Sequence, residues 1–194
     1  MKHSLVLIAC TAVLAACNKG PEINVKNASV GEVAEQVREA AAGQTLIEPG
    51  RWESKVTLLD VEAPGLPPQF AAQMKQTMAK VQGGTMATCL TEADIKKPKE
   101  DFFAGRSKNC RYDHFTMSGG KIDAQMNCAA GDGGTMSMTM NGSYSTDSYE
   151  ATMAMTSSGN GKMSGMKMKS HTESHRVGAC KGDEMNFKKT QVGQ

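Results

Sequence analysis

From Thr135 to Met140 the chain reads Thr-Met-Ser-Met-Thr-Met, and from Ala151 to Thr156 it reads Ala-Thr-Met-Ala-Met-Thr. Thioether and small or polar residues alternate one for one. A period of two gathers every methionine on one side of an extended chain, whereas a helix would scatter them around its axis. The pattern therefore restricts this part of the molecule to antiparallel strands with one apolar face and one hydroxyl-rich, charged face. Aromatic residues make up only 5% of the chain against 15 methionines. Methionine must supply the apolar volume that Phe, Leu or Ile supplies elsewhere.

The turns between these strands predict their pairing. A three-residue loop at Ser118-Gly119-Gly120 sets Cys110 opposite Cys128. A two-residue loop at Thr146-Asp147 pairs Tyr144 with Tyr149, Met140 with Met153 and Met138 with Met155. Asn160-Gly161 is a strong type I′ hairpin signal; it pairs Met155 with Met166, Met153 with Met168 and Glu150 with His171. The last two registers agree with each other. They predict one row of Met138, Met155 and Met166 and a second of Met140, Met153 and Met168, with Ser137, Thr139, Thr152 and Lys167 on the opposite face.

Four cysteines follow the amino-terminal region, and four allow three pairings. The hairpin register favours Cys110–Cys128, which leaves Cys89–Cys180 to tie the end of the sheet to an earlier strand. Neither a Cys-x-x-Cys redox motif nor a zinc-finger spacing is present, so both bonds are expected to be structural staples.

Before the sheet the period is helical in two places. Ser29 followed by Glu32 is a capping-box signature, and Val30, Val33, Val37 and Ala40 recur at helical spacing until Gly43. This short amphipathic helix is expected to dock on its own domain. Pro49-Gly50 is a turn, and residues 51–61, with the single tryptophan Trp52, read as a strand. After a loop at 64–68, Phe70, Met74, Met78 and Val81 mark one face of a helix over 69–81, closed by Gly83-Gly84. Residues 85–90 read as a strand, 91–94 as a helical turn, and the charged stretch 96–100 as a solvated loop.

The amino terminus carries an address. Met1-Lys2-His3 is a short basic start, Ser4 to Val13 is an apolar run of secretory length, and Leu14-Ala15-Ala16-Cys17 closes it. The run is too short to span a bilayer, which takes about 20 apolar residues. The pattern resembles a bacterial lipobox, which implies cleavage before Cys17 and lipid on that cysteine. Leu7-Ile8-Ala9-Cys10 also fits, but cleavage there leaves too short an apolar run and an unpaired Cys17. Asn18, rather than Asp, follows the cysteine, and by the sorting rule this resembles, the outer membrane is favoured. Asn18 to Ala28, polar and containing Gly20-Pro21, reads as a flexible tether.

Composition and motifs exclude several activities. With Lys+Arg 22 against Asp+Glu 20 the net charge is +2, and no basic block interleaves with aromatics, so no nucleic-acid partner is expected. Nucleophile elbow, His-Glu-x-x-His and P-loop are all missing, and no enzyme activity or cofactor is expected. His171, Glu173 and His175 would share one side of a strand, but the histidine Cα atoms then stand about 13 Å apart, hard for both imidazoles to bridge to one metal. Thioethers are soft ligands that select Cu(I), so Met153, Met155, Met166 and Met168 are an alternative copper set. The plain reading of the same residues is an apolar sheet face.

Pro49-Gly50-Arg51-Trp52-Glu53, Gly65-Leu66-Pro67-Pro68-Gln69, Cys89-Leu90-Thr91, the Thr-Met repeats and Arg176-Val177-Gly178-Ala179-Cys180 together resemble the domain-of-unknown-function family 3617. The resemblance runs from about Ile47 to Cys180. It implies a lipoprotein or secreted protein of a Gram-negative envelope and carries no activity or site residues with it.

The resulting expectation is an α+β protein: a curved antiparallel sheet, half-barrel-like, with helix 69–81 packed on its apolar face and a short helix before it. Residues 1–16 are the signal peptide, 17–46 a tether with the amphipathic helix, and 47–194 a single sheet domain. The apolar face or pocket is assigned to Met74, Met78, Met138, Met140, Met153, Met155, Met166 and Met168. The expected role is a non-enzymatic binding or scaffold module on the periplasmic side of the envelope. It is held to the membrane through Cys17 and serves an apolar ligand or an envelope protein.

Overall fold

The computed structural model describes residues 21–81, 84–96, 109–129, 133–159 and 164–185. The lipobox, the 96–100 loop beyond Lys96 and the Asn160-Gly161 turn lie outside them.

Eight strands among the described residues form one antiparallel sheet: β1 (Ile23–Ser29), β2 (Gly50–Glu62), β3 (Thr85–Leu90), β4 (Cys110–Ser118), β5 (Lys121–Ala129), β6 (Thr135–Tyr144), β7 (Ser148–Ser158) and β8 (Lys167–Gly178). Their order is β1-β4-β5-β6-β7-β8-β2-β3, with β1 and β3 at the two open edges. Consecutive hairpins build β4 to β8, and β2 returns to close against β8. Three helices accompany them: α1 (Val30–Ala40), α2 (Pro68–Val81) and α3 (Glu92–Lys96).

The first correction concerns the tether. Ile23–Ser29 is a strand, paired along its length with β4 from Ile23↔Met117 to Ser29↔Arg111. Ile23 and Ala28 are buried in the core. Strict alternation fails in this segment, because Asn27 turns outward with φ +51° and the next inward residue is Ala28. The same break occurs across the ladder in β4, where Tyr112 and Phe115 both point inward. Arg111 on β4 reaches the outward-turned residue of β1, its Nε donating to Asn27 Oδ1 at 3.1 Å.

Helix α1 forms where its cap and spacing call for it. The Ser29 hydroxyl accepts from the Glu32 amide, and the Glu32 carboxylate accepts from the Ser29 amide. Those two bonds satisfy orphan donors of the first turn and hold the Glu32 carboxyl below its usual range. Val33 and Val37 enter the core with Phe115, Tyr112, Met117, Ile122 and Met126. Phe115 and Val33 are fully buried. The helix seated in this core is therefore α1. Helix α2 touches the sheet at β2, and Phe70 on its predicted apolar face is 54% exposed. The side chains of Met74 and Met78 lie outside the described residues.

The hairpins divide into one predicted register and two corrections. β6 and β7 pair as expected, including Tyr144↔Tyr149, Met140↔Met153 and Met138↔Met155. β4 and β5 turn through Gly119 and Gly120, both with positive φ, so the loop has two residues and not three. Cys110 nevertheless faces Cys128, because a bulge at Asp113 adds the missing residue to β4. β7 and β8 pair two residues out from the expected register: Met155 faces Met168, Met153 faces Ser170 and Glu150 faces Glu173. The ladder bonds continue to Ser157 and Met166, so the connection is longer than a turn at Asn160-Gly161 allows. A slip of two preserves which face each residue occupies.

Two further bulges lie between β2 and β8, with Leu59 and Val177 as the extra residues. Both are about half exposed. Within β6, a Cβ on Gly142 would collide with the carbonyl oxygen of Glu150. Such bulges and close approaches are what allow a wide sheet to bend.

Candidate functional site

The registers put one continuous row across seven strands: Ala28, Tyr112, Met126, Met138, Met155, Met168 and Val61. Four methionines thus stand side by side on adjacent strands, where directly opposed residues are about 5 Å apart. The neighbouring row on the same face is Val25, Phe115, Ala124, Met140, Met153, Ser170 and Leu58. Met126 was not among the expected site residues. Its partner Met138 lies across from it on the β5–β6 ladder, and no hairpin reading from the sequence had paired those two strands.

Cover over this face is uneven. Met136, Met138, Met140 and Tyr144 pack against the cluster centred on Phe115 and α1. Met126 is 4% exposed. Beyond β6 the α1 cluster stops, and Met153, Met155 and Met168 are half-buried. Val56, on the same side, is 40% exposed. Met166 is instead buried at the lower end of β8, near the loop that contains Pro64. Tyr149 donates to the Met140 sulfur at 3.4 Å, and burial pushes its phenol above the usual range, which keeps it a neutral donor.

Of the expected site residues, Met138, Met140, Met153, Met155 and Met168 share this face. The alternative copper set regroups: Met166 faces Ser157, Met153 faces Ser170, and the adjacent trio is Met138, Met155 and Met168. His171 and Glu150 lie on the other face. His171 Nδ1 is 3.1 Å from the Thr152 hydroxyl, and its Nε2 is 3.5 Å from Glu150. Along with Lys121 and Ser143 they line an open depression of about 310 Å³. Among the described residues no three His, Cys, Asp or Glu side chains converge on a metal position. No described helix is long and apolar enough to cross a membrane.

The motif at 49–53 and the motif at 176–180 meet in space. Arg51 pairs with Gly178 and with Cys89, and Cys89 is bonded to Cys180. Arg176 Nε donates to the Pro49 carbonyl at 2.7 Å. Gly50 has φ +142°, and a Cβ there would collide with the Gly178 carbonyl oxygen, so glycine is required. Buried Trp52 donates its indole N–H to the Glu48 carbonyl at 3.0 Å. The Arg51 guanidinium binds Glu53, Asp183 and Glu184. The Glu184 carboxylate accepts from the amides of Lys181 and Gly182, and these bonds together with Arg51 pull its pKa down to about 2. The charged groups of this clamp answer one another: Arg51 binds Glu53, Asp183 and Glu184, and Arg176 binds Pro49 and Glu48. Its chemistry is structural.

Cys110–Cys128 and Cys89–Cys180 are both disulfide-bonded, the pairing that the hairpin register favours. No curated protein and no solved structure matches the chain. The model of a family described as a protein of unknown function, DUF3617, matches residues 47–180, the span bounded by the two halves of the clamp. Strand β1 and helix α1, which complete one end of the core, fall before that span. By that match the chain belongs to the DUF3617 family.

Proposed function

We propose that this protein is a non-enzymatic binding module of the bacterial envelope, anchored by lipid on Cys17 and facing the periplasm, with the outer membrane as its favoured site. One observation carries the binding assignment. The methionine rows run on past the reach of α1, so that Met153, Met155 and Met168 form a half-covered apolar surface beside Val56 and Leu58. Unbranched thioether side chains repack around varied shapes, which suits an apolar ligand or an apolar segment of an envelope protein. Helix α2 follows β2 and contacts it; in this proposal it forms the movable cover of the surface. The test is titration of the purified protein with N-phenylnaphthylamine, whose emission rises in apolar surroundings. Saturable binding that Met155→Lys abolishes supports the proposal. Wild-type protein that never enhances the dye overturns it.

The row Met138, Met155 and Met168 supports a second reading, a Cu(I) site of three thioethers on neighbouring strands. Competition with bathocuproine disulfonate tests it. Copper retained by the wild type and lost in Met155→Leu is the result expected of such a site, and copper lost equally to the chelator from both removes it.

A further inference from the structure

We propose that the end of the sheet marked by Ile23, the β4–β5 and β6–β7 turns and the 41–49 connection docks on the headgroup layer of the membrane that holds Cys17. This rests on the lipidation of Cys17 proposed above. The argument begins from chain length. Pro21 is already buried in the domain. Four Cα–Cα steps separate it from Cys17, and at 3.8 Å each they span at most about 15 Å. An eleven-residue tether would have let the domain swing freely. With residues 21–29 held in the protein, that freedom is gone.

The surface around Pro21 can be named. A depression of about 490 Å³ lies there, lined by Pro21, Thr45, Leu46, Gly120, Tyr144 and Thr146. The loops around it are tied together: the Tyr144 amide donates to the Gly120 carbonyl at 2.8 Å and the Glu48 amide to the Thr146 carbonyl at 2.7 Å. The chemistry of this end suits a headgroup layer of either sign. Residues 41–47 read Ala-Ala-Gly-Gln-Thr-Leu-Ile and carry no charge; around them stand Glu22, Lys121 and Asp147, all exposed, and the Glu48–Arg176 pair, charges of both signs that can meet phospholipid headgroups. Docking at the Pro21 end also stands the strands away from the membrane and holds the half-covered methionine rows clear of it.

The two ends are well separated, since the nine residue steps from Tyr149 to Ser158 along β7 cover about 30 Å. The experiment uses the full chain, matured in a Gram-negative host and reconstituted in phosphatidylethanolamine–phosphatidylglycerol vesicles doped with lipid bearing a headgroup nitroxide. Single substitutions Thr45→Trp and Thr146→Trp report from the proposed docking end. Thr156→Trp and Ser158→Trp report from the other, and buried Trp52 gives a common background. Loss of the added emission in the first pair but not the second supports the proposal. Quenching that is equal at the two ends, or stronger at Ser158, overturns the docking geometry. Mass spectrometry of the same samples separates the two ideas: Cys17 without acyl chains removes the anchor and the docking together, whereas acylated protein with the wrong quenching pattern removes the docking alone.

Discussion

The Nε of Arg176 donates to the carbonyl oxygen of Pro49 at 2.7 Å, across 127 residues of chain. The bond is partly buried, and Glu48 lies 3.5 Å from the same nitrogen. Replacing Arg176 by Met keeps the stem but leaves the Pro49 carbonyl without its charged donor, a loss worth about 1.5–3 kcal/mol. Urea unfolding is expected to show that decrease, and Arg176→Lys to recover only part of it.

The two disulfides should contribute unequally. Cys89 and Cys180 are 91 residues apart and Cys110 and Cys128 only 18. On the chain-entropy account the longer loop stabilises by about 4.6 kcal/mol and the shorter by about 3.2 kcal/mol. Double Cys→Ala variants of each pair, compared by denaturant midpoint, are expected to rank in that order.

Asp113 is the extra residue that lets Cys110 meet Cys128. Deleting it slides the first three residues of β4 by one place and turns each to the other face. The expected result is two more free thiols than in the parent in a denatured-state thiol assay, together with lost stability from the outward turn of Tyr112.

Phe115 is fully buried under Val33 and Val37 of α1. Phe115→Ala is expected to cost about 3–5 kcal/mol. Ser29→Ala, which removes the cap of the same helix, should cost about 1 kcal/mol. Thermal denaturation of both variants checks the ratio.

Glu184 sets an acid dependence. Its carboxyl titrates near 2 in the folded protein against an ordinary 4.5. A pKa depressed by folding stabilises the protein above the unfolded value, and the effect disappears as pH falls from about 4.5 through about 2. The melting temperature of the wild type is therefore expected to exceed that of Glu184→Gln at pH 6, and the gap to close by pH 2.

How much of this fold was written legibly in the chain differs from strand to strand. β6 and β7 were readable because the Met alternation and a two-residue turn point to one register. β7 and β8 share the alternation, but Asn160-Gly161 does not set their pairing; parity survived the two-residue slip, so the face assignments held while the partners changed. β1 was missed because Asn27, at φ +51°, breaks the period that would reveal a strand, and the β4 partner that makes this segment a strand lies far away in sequence. The Met126–Met138 pairing was not read, because Gly131-Asp132-Gly133-Gly134 allows several loop lengths and so no single register. The clamp was visible only as two motifs. That Arg51 and Glu184 answer each other is a property of the folded chain.

Because the Pro49 and Arg176 segments lie side by side, the 47–180 unit begins and ends at one place in space. A polypeptide built this way behaves as a cassette. Its two ends stand close enough to be joined and new ones cut at an exposed turn, with β1 and α1 kept to cover the Phe115 core. Circular permutants opened between Gly119 and Gly120 therefore offer a route to relocating the tether while the methionine face stays assembled.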